Sequence, residues 1–261
     1  SSRMPLPKME RVVKPEALVV IPARYASVRL PGKPLLRETG KPLIRHVVEN
    51  VRRAARVSRT IVATDDERIL EAVESFGGEA MMTARHHASG TDRVAEVVRA
   101  LGDEAGEIVV NVQGDEPELR PDQVDLLIDT LTADPEAPMA TLAVEGSGRE
   151  TYLDPNAVKV VCDRTGRALY FSRAPIPFSR DASVDETVFH KHLGIYAYRR
   201  AFLLAMGALP PGRLESIERL EQLRVLEAGH AIKVAFTDFA PRGIDTREDY
   251  EAFVRGQGVG T

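Results

Sequence analysis

The sequence predicts an α/β fold, a Rossmann-like and mostly parallel sheet with helices on both faces, and three observations carry that expectation. Short β-branched and aliphatic runs, Val19–Ile21, Thr60–Thr64, Ile108–Val112 and Met139–Val144, recur along the chain. Between them lie segments whose apolar residues repeat at helical spacing. A hydrophobic content of 43% over 261 residues is enough for a sizeable core. Strands alternating with helices of this length imply crossovers that cover both faces of one sheet.

Residues 1–16, with Pro5, Pro7 and Pro15 among mixed charges, read as a flexible amino-terminal extension or a cloning remnant, and 17–261 as the folded domain. Val19–Ile21 is a strand that stops at Pro22. Pro42 to Arg56 carries Leu43, Val47, Val48 and Val51 on a helical stripe with Pro at its start. After the strand Thr60–Thr64, Asp65 is expected to head a helix through Ile69, Leu70, Val73 and Phe76, ended by Gly77 and Gly78. Glu79–Met82 reads as a strand, Thr91–Leu101 as a helix, Ile108–Val112 as a strand, Pro121–Leu131 as a helix and Met139–Val144 as a strand. Ligands of such sheets gather at the carboxyl ends of the strands, so the loops after Ile21, Thr64, Met82 and Val112 are expected to share one crevice.

From Asn156 the rhythm changes. Val158–Cys162, Ala168–Phe171 and Leu193–Tyr198 read as strands without helices between them, so 156–199 is expected to be a smaller β-rich insertion, suited to a second substrate or a dimer contact. Helical spacing returns in Arg200–Ala208 and Ile217–Ala228, followed by a strand at Ala231–Phe236 and a last helix after Thr246.

The formal net charge of -4 gives no support for general nucleic-acid binding, so any anion must be met by a local basic site. Cys162 is the only cysteine, which excludes an intramolecular disulfide and a cysteine-based metal cluster. No apolar run approaches the ~20 residues of a membrane span, and residues 1–16 lack the apolar stretch of a signal peptide, so a cytoplasmic protein is expected.

The loop after Val19–Ile21 carries Arg24, Arg29 and Lys33 among Ala23, Ala26, Ser27 and Gly32. Small residues let the main chain approach an anion, and three cations offset phosphate charge; a solvated basic loop is the plain alternative. Neither a Walker loop nor a Gly-x-Gly-x-x-Gly is present. In Asn111-Val112-Gln113-Gly114-Asp115-Glu116-Pro117, Gly114 permits a tight backbone and Asp115 offers a hard oxygen ligand where a strand ends. Asp245 is a second isolated carboxylate before a helix, where it would otherwise be an N-cap unless Thr246 does that job. Mg²⁺ usually takes one or two carboxylates plus substrate phosphates, so these aspartates and the basic loop point to metal-assisted phosphoryl or nucleotidyl transfer.

Arg85-His86-His87-Ala88-Ser89-Gly90-Thr91-Asp92-Arg93 joins a strand to a helix that Ser89 or Thr91 can cap, with Gly90 bringing amides close to a ligand. The paired histidines have no third ligand at a zinc-like spacing. Arg173 can fork onto a carboxylate, and His192 and Tyr196, four residues apart on a strand, face the same side; polar residues at a sheet edge would look the same. Leu220, Leu223 and Leu226 form a core face that would leave Glu221 and Gln222 solvated.

Taken in order, Ile-Pro-Ala-Arg to Leu-Pro-Gly-Lys-Pro, His87-x-Ser-Gly-Thr-Asp-Arg, Asn-Val-Gln-Gly-Asp-Glu-Pro, Asn156-Ala-Val-Lys, Phe-Ser-Arg, His-Leu-Gly-Ile-Tyr and Leu-Glu-Gln-Leu-Arg resemble the 3-deoxy-manno-octulosonate (Kdo) cytidylyltransferases, from Val19 to about Tyr250. The resemblance implies a nucleotide-diphospho-sugar transferase-like fold and attack of the anomeric hydroxyl of Kdo on the α-phosphate of CTP. CMP-Kdo for lipopolysaccharide synthesis and diphosphate would result, with Mg²⁺ as cofactor and a homodimer as the assembly. It implies that Arg24, Arg29 and Lys33, beside Ala23, hold the triphosphate, and that Asp115 and Asp245 bind the metal. Arg24, Lys33 and Asp115 form the implied catalytic set. Arg85, Ser89 and Gln113 fall near the cytidine, and Arg173, His192, Tyr196, Glu221 and Gln222 around Kdo. Ile244 and Arg247 stand where the family commonly has Val and Pro. The other readings are a cytidylyltransferase for sialic acid or 8-amino-Kdo and a catalytically silent nucleotide-binding module. The Phe-Ser-Arg and Glu-Gln-Leu-Arg stretches oppose sialic acid, and intact Lys33, Asp115 and Asp245 oppose the silent module.

Overall fold

The structure, a computed structural model, describes residues 16–181, 183 and 187–258, so the expected extension over 1–16 lies outside it apart from Glu16. β1 (Ala17–Ala23) is apolar on both sides, with Val19 and Ile21 turned to one face of the sheet and Leu18 and Val20 to the other. A strand covered twice must be apolar twice. α1 (Leu43–Arg52), β2 (Val57–Thr64), α2 (Glu67–Ser75), β3 (Glu79–Met82), α3 (Gly90–Leu101), β4 (Ile108–Asn111), α4 (Pro121–Ala133) and β5 (Met139–Gly146) follow in the expected alternation. α1 and α4 cover the first face through Val47, Val51, Leu127 and Leu131, and α3 covers the second through Val94, Val97 and Val98.

After the short α5 (Arg149–Leu153), which no periodicity announces, come β6 (Lys159–Cys162), β7 (Ala168–Ser172) and β8 (Phe189–Arg199). α6 (Arg200–Met206), α7 (Arg213–Glu218), α8 (Gln222–Glu227), β9 (Ile232–Thr237) and α9 (Arg247–Gly256) complete the chain. Among the described residues the strand order is β3-β2-β1-β4-β8-β5-β9. β1, β2, β3 and β4 are mutually parallel, β9 is parallel to β5, and β8 runs antiparallel between β4 and β5. The mostly parallel sheet is therefore as expected, but the β-rich segment 156–199 is not one appendage. β6 and β7 form a hairpin docked on the amino-terminal half of β8 through Lys159 opposite Lys191, whereas the rest of β8 occupies the centre of the sheet. That placement carries Tyr196 directly opposite Asn111 of β4.

Two local expectations need correction. Asp66, not Asp65, caps α2 by accepting from the Arg68 amide. Asp65 instead sits 2.9 Å from the guanidinium of Arg93, whose side chain is fully buried; a buried cation requires a paired charge, and that demand outweighs a cap available from the next residue. The helix expected over Ile217–Ala228 is broken at Arg219, which has φ 55 and ψ 48. Glu218 accounts for the break, because its carboxylate accepts from Ser172 Oγ at 2.6 Å and from the Arg173 amide at 2.9 Å. Arg173 then donates to the carbonyls of Glu218 at 2.7 Å and Arg219 at 3.3 Å, so the chain is pinned to β7 at that corner. The break starts α8 afresh and turns Glu221 and Gln222 inward, with Gln222 only 4% exposed.

Candidate active site

The first loop is built around a close approach. Gly32, at φ 67, donates its amide to Tyr25 O at 3.0 Å, and a Cβ there would lie 3.2 Å from the Tyr25 ring. Arg68 covers that ring from α2, its guanidinium carbon 3.4 Å from the centroid. The turn Lys33–Leu35 follows and aims Lys33 inward. Lys33 Nζ donates to Asp115 Oδ2 at 2.7 Å and to Ile244 O at 2.6 Å, and lies 3.7 Å from Asp245 Oδ1. Arg29 meets the same Asp245 oxygen at 3.1 Å. The structure thus brings Arg29, Lys33, Asp115 and Asp245 together from three distant stretches of chain.

Each carboxylate has a local reason to be there. Gly114 lets the Gln113–Asp115 turn pass under the end of β1, where a Cβ would come 2.9 Å from Pro22 O. Thr246 caps α9 by accepting from the Asp249 amide, which leaves Asp245 out of the cap. Leu30, Leu43, Ile244, Tyr250 and Phe253 form a small apolar cluster that holds the α9 end against the first loop. The Ile244 amide also donates to Asp115 O at 2.9 Å, so the two metal candidates share a backbone link.

Ala23, Arg24, Lys33, Gln113 and Asp115 line a pocket of about 310 Å³. A second pocket, about 160 Å³, is lined by Gln113, Asn111, Tyr196, Tyr198, Glu221 and Gln222 among others, and shares Gly90 and Gln113 with the first. A basic chamber beside two carboxylates thus adjoins a chamber rich in hydroxyl, amide and carboxyl groups. Arg24 is held at the rim by donating to His87 O at 3.2 Å.

A family model described as cytidylyltransferase matches residues 18–233. The 3-deoxy-manno-octulosonate cytidylyltransferase of Syntrophobacter fumaroxidans is 55% identical over 235 residues, covering 90% of this chain and 94% of its own. That of Syntrophotalea carbinolica is 49% identical over 247 residues, covering 91% and 98%. The chain belongs to the 3-deoxy-manno-octulosonate cytidylyltransferase family. Among solved structures, a CMP:2-keto-3-deoxy-manno-octonic acid synthetase complexed with CTP superposes with a TM-score of 0.88 at 44% identity, covering 93% of this chain and 98% of that one. A cytidylyltransferase from Leptospira borgpetersenii, at 16% identity and a TM-score of 0.60, shares the fold.

Against the residues that the cytidylyltransferase motifs single out, the structure is selective. Ser89 spends its hydroxyl on the α3 cap, accepting from the Asp92 amide at 3.1 Å, while its neighbour Gly90 lines both pockets. Arg85 is exposed near Asp66 and lines neither. Arg173 also lies outside the second pocket, its guanidinium committed to the carbonyls of Pro155, Glu218 and Arg219. His192 does share a side with Tyr196, their rings 5.6 Å apart, but its Nε2 pairs with Thr141 Oγ1 at 2.9 Å behind the pocket. Burial pushes the His192 imidazole down to about 3, so it is neutral there. His87, one of the paired histidines, bonds Glu96.

Two members of the Asn111–Pro117 motif received no role from spacing alone. Glu116 is pushed up to about 8, first by loss of water around its carboxyl and then by the Asp115 charge, with Lys191 opposing. Asn111 ends the apolar run of β4 on the second pocket. An amide closing a run of Ile and Val was the one signal in the sequence, and it was indistinguishable from an ordinary strand end. Burial raises Glu221 as well, while Thr91 eases the shift by hydrogen bonding.

Proposed function

We propose that the chain transfers CMP from CTP to the anomeric hydroxyl of Kdo, releasing diphosphate. The observation that carries this reading is the convergence of Lys33, Asp115 and Asp245 beside a pocket that shares Gly90 and Gln113 with one lined by Tyr196, Glu221 and Gln222. The hydroxyl oxygen bonds to the α-phosphorus, the bond from that phosphorus to the oxygen bridging to the β-phosphate breaks, and the hydroxyl proton leaves to water. Arg24, Arg29 and Lys33 hold the triphosphate and stabilise charge on the departing diphosphate, and Gln113, at the junction, fixes the sugar against the α-phosphate. Positioning and electrostatics of this kind supply most of the rate in phosphoryl-type transfer. Arg173 and His192 support the sugar pocket from behind, through the Arg219 corner and the Tyr196 ring.

The donor set fits Mg²⁺. Two carboxylates converge on one cationic nitrogen, at 2.7 and 3.7 Å, and hard oxygens of this number are what Mg²⁺ takes before completing its shell with phosphates and water. Asp115 and Asp245 would hold the ion, which when bound offsets phosphate charge and makes the sugar hydroxyl more acidic.

Diphosphate release should appear with CTP, Mg²⁺ and Kdo together and with no two of them alone. A panel including 8-amino-Kdo and sialic acid, read the same way, decides the acceptor; silence with every sugar acid in a folded sample overturns the reading. No helix among the described residues is long and apolar enough to cross a membrane. A cytoplasmic place and a role in lipopolysaccharide synthesis belong to the same proposal, and rescue of cells unable to activate Kdo tests both. The homodimer belongs to it too. It is supported by exposed apolar side chains, Phe178 at 83%, Val188 at 60% and Phe236 at 46%, the latter two bordering a groove beside β6. Sedimentation at assay concentration should give the mass of two chains, and monomer alone would remove the dimer from the proposal.

A further inference from the structure

Asn111 is 1% exposed, and its Oδ1 has no hydrogen-bond partner among the described residues. Buried acceptors are satisfied in nearly all folded proteins, because an orphan forfeits its bonds to water without replacement. The residues before it, Ile108, Val109 and Val110, show that an aliphatic side chain suits this strand. The amide hydrogen-bonds the buried Tyr198 side chain, which accounts for its nitrogen and leaves only Oδ1 to be explained.

Its place supplies the explanation. Asn111 lines the second pocket two residues before Gln113, and two steps of an extended chain put it about 7 Å further from the triphosphate chamber. The residues lining that pocket include no Lys or Arg, so this end is not built for the sugar's carboxylate or for phosphate. Tyr196, Glu221 and Gln222 line it, Tyr198 is held by hydrogen bonds to Thr91 and Asn111, and Met139 and Met206 supply apolar wall. Alternating apolar and hydrogen-bonding surface of this kind matches a polyol tail.

We propose that Asn111 is a recognition residue for the sugar acid, its Oδ1 accepting a hydrogen bond from a hydroxyl of the polyol tail at the buried end of the pocket. The inference rests on the proposed function and names a contact within it. The test is steady-state kinetics of Asn111→Leu with CTP, with Kdo, and with Kdo analogues each lacking one tail hydroxyl. KM for Kdo should rise about 10- to 100-fold, the span expected when a buried polar contact is lost, with KM for CTP unchanged. One deoxy analogue should show the same KM in wild type and variant, which identifies the hydroxyl. An unchanged KM for Kdo, or an equal rise for both substrates, overturns the proposal. If the leucine variant does not fold, Asn111→Ser, which shortens the side chain away from the ligand, reads the same split. A wild type inactive with every sugar acid would overturn the proposed function; an active wild type with an indifferent Asn111→Leu overturns only this contact.

Discussion

Asp115→Asn is expected to lower kcat by roughly 10³-fold or more, the scale of losing a charge that acts in the transition state. Asparagine keeps the shape and leaves an oxygen to which Lys33 can donate, so the clasp joining Lys33, Ile244 and the Gln113–Asp115 turn survives. What is lost is one of the two negative charges converging on the cation position. The Asp115 side chain is 33% exposed, so its ion pair adds little to stability, about 1 kcal/mol or less, and the urea midpoint should stay near that of the wild type. Diphosphate release measured across a range of Mg²⁺ concentrations checks the claim. Near-normal turnover would remove Asp115 from the mechanism.

His46 and His192 should together make the fold acid-sensitive by roughly 4 kcal/mol between pH 7.5 and 5, about 2 kcal/mol each. His46 is lowered from 6.5 to about 4, mainly by burial and then by Lys41, with Arg45 adding and Glu49 opposing. His192 is lowered from 6.5 to about 3 by burial. Below 6.5 the unfolded chain takes up protons that the folded chain refuses, so the stabilisation is present near neutrality and drains away as pH falls toward the folded values. Glu116 and Glu221, raised by burial, act in the opposite direction, and the raw stability curve therefore mixes signs. The clean readout is the difference between wild type and the His46→Asn, His192→Asn double variant in urea unfolding. That difference should shrink by about 4 kcal/mol from pH 7.5 to 5. Curves that stay parallel would exclude the histidines from the account.

Much of the fold was legible because three strands of the parallel half are buried on both sides over most of their length and so are rich in Val and Ile. β1, β2 and β4 are of this kind. Legibility failed where a side chain far away in sequence settled the backbone. Asp65 was unreadable because its partner, Arg93, lies 28 residues on. The Arg219 break was unreadable because Glu218 answers to β7, not to its own helix. The site divides likewise. Lys33, Asp115 and Asp245 were visible as chemistry without an obvious local use, whereas Asn111 looked like the end of a strand. Ser89 looked like a ligand or a cap, and its hydroxyl serves as a cap.

By itself the sequence determined the alternation of strands and helices, the positions of the basic loop and the two aspartates, and the family to which their motifs belong. These are local properties, set by side-chain volume, periodicity and turn chemistry within a few residues. Only the tertiary structure decided that β8 lies antiparallel between β4 and β5, which faces Tyr196 toward Asn111, and that the chain breaks at Arg219, which turns Glu221 and Gln222 into the same pocket. It also decided that Asp115 and Asp245 meet, at the ammonium of Lys33. Those outcomes depend on which distant groups can satisfy a buried charge or hydrogen bond, and no window of sequence contains both partners.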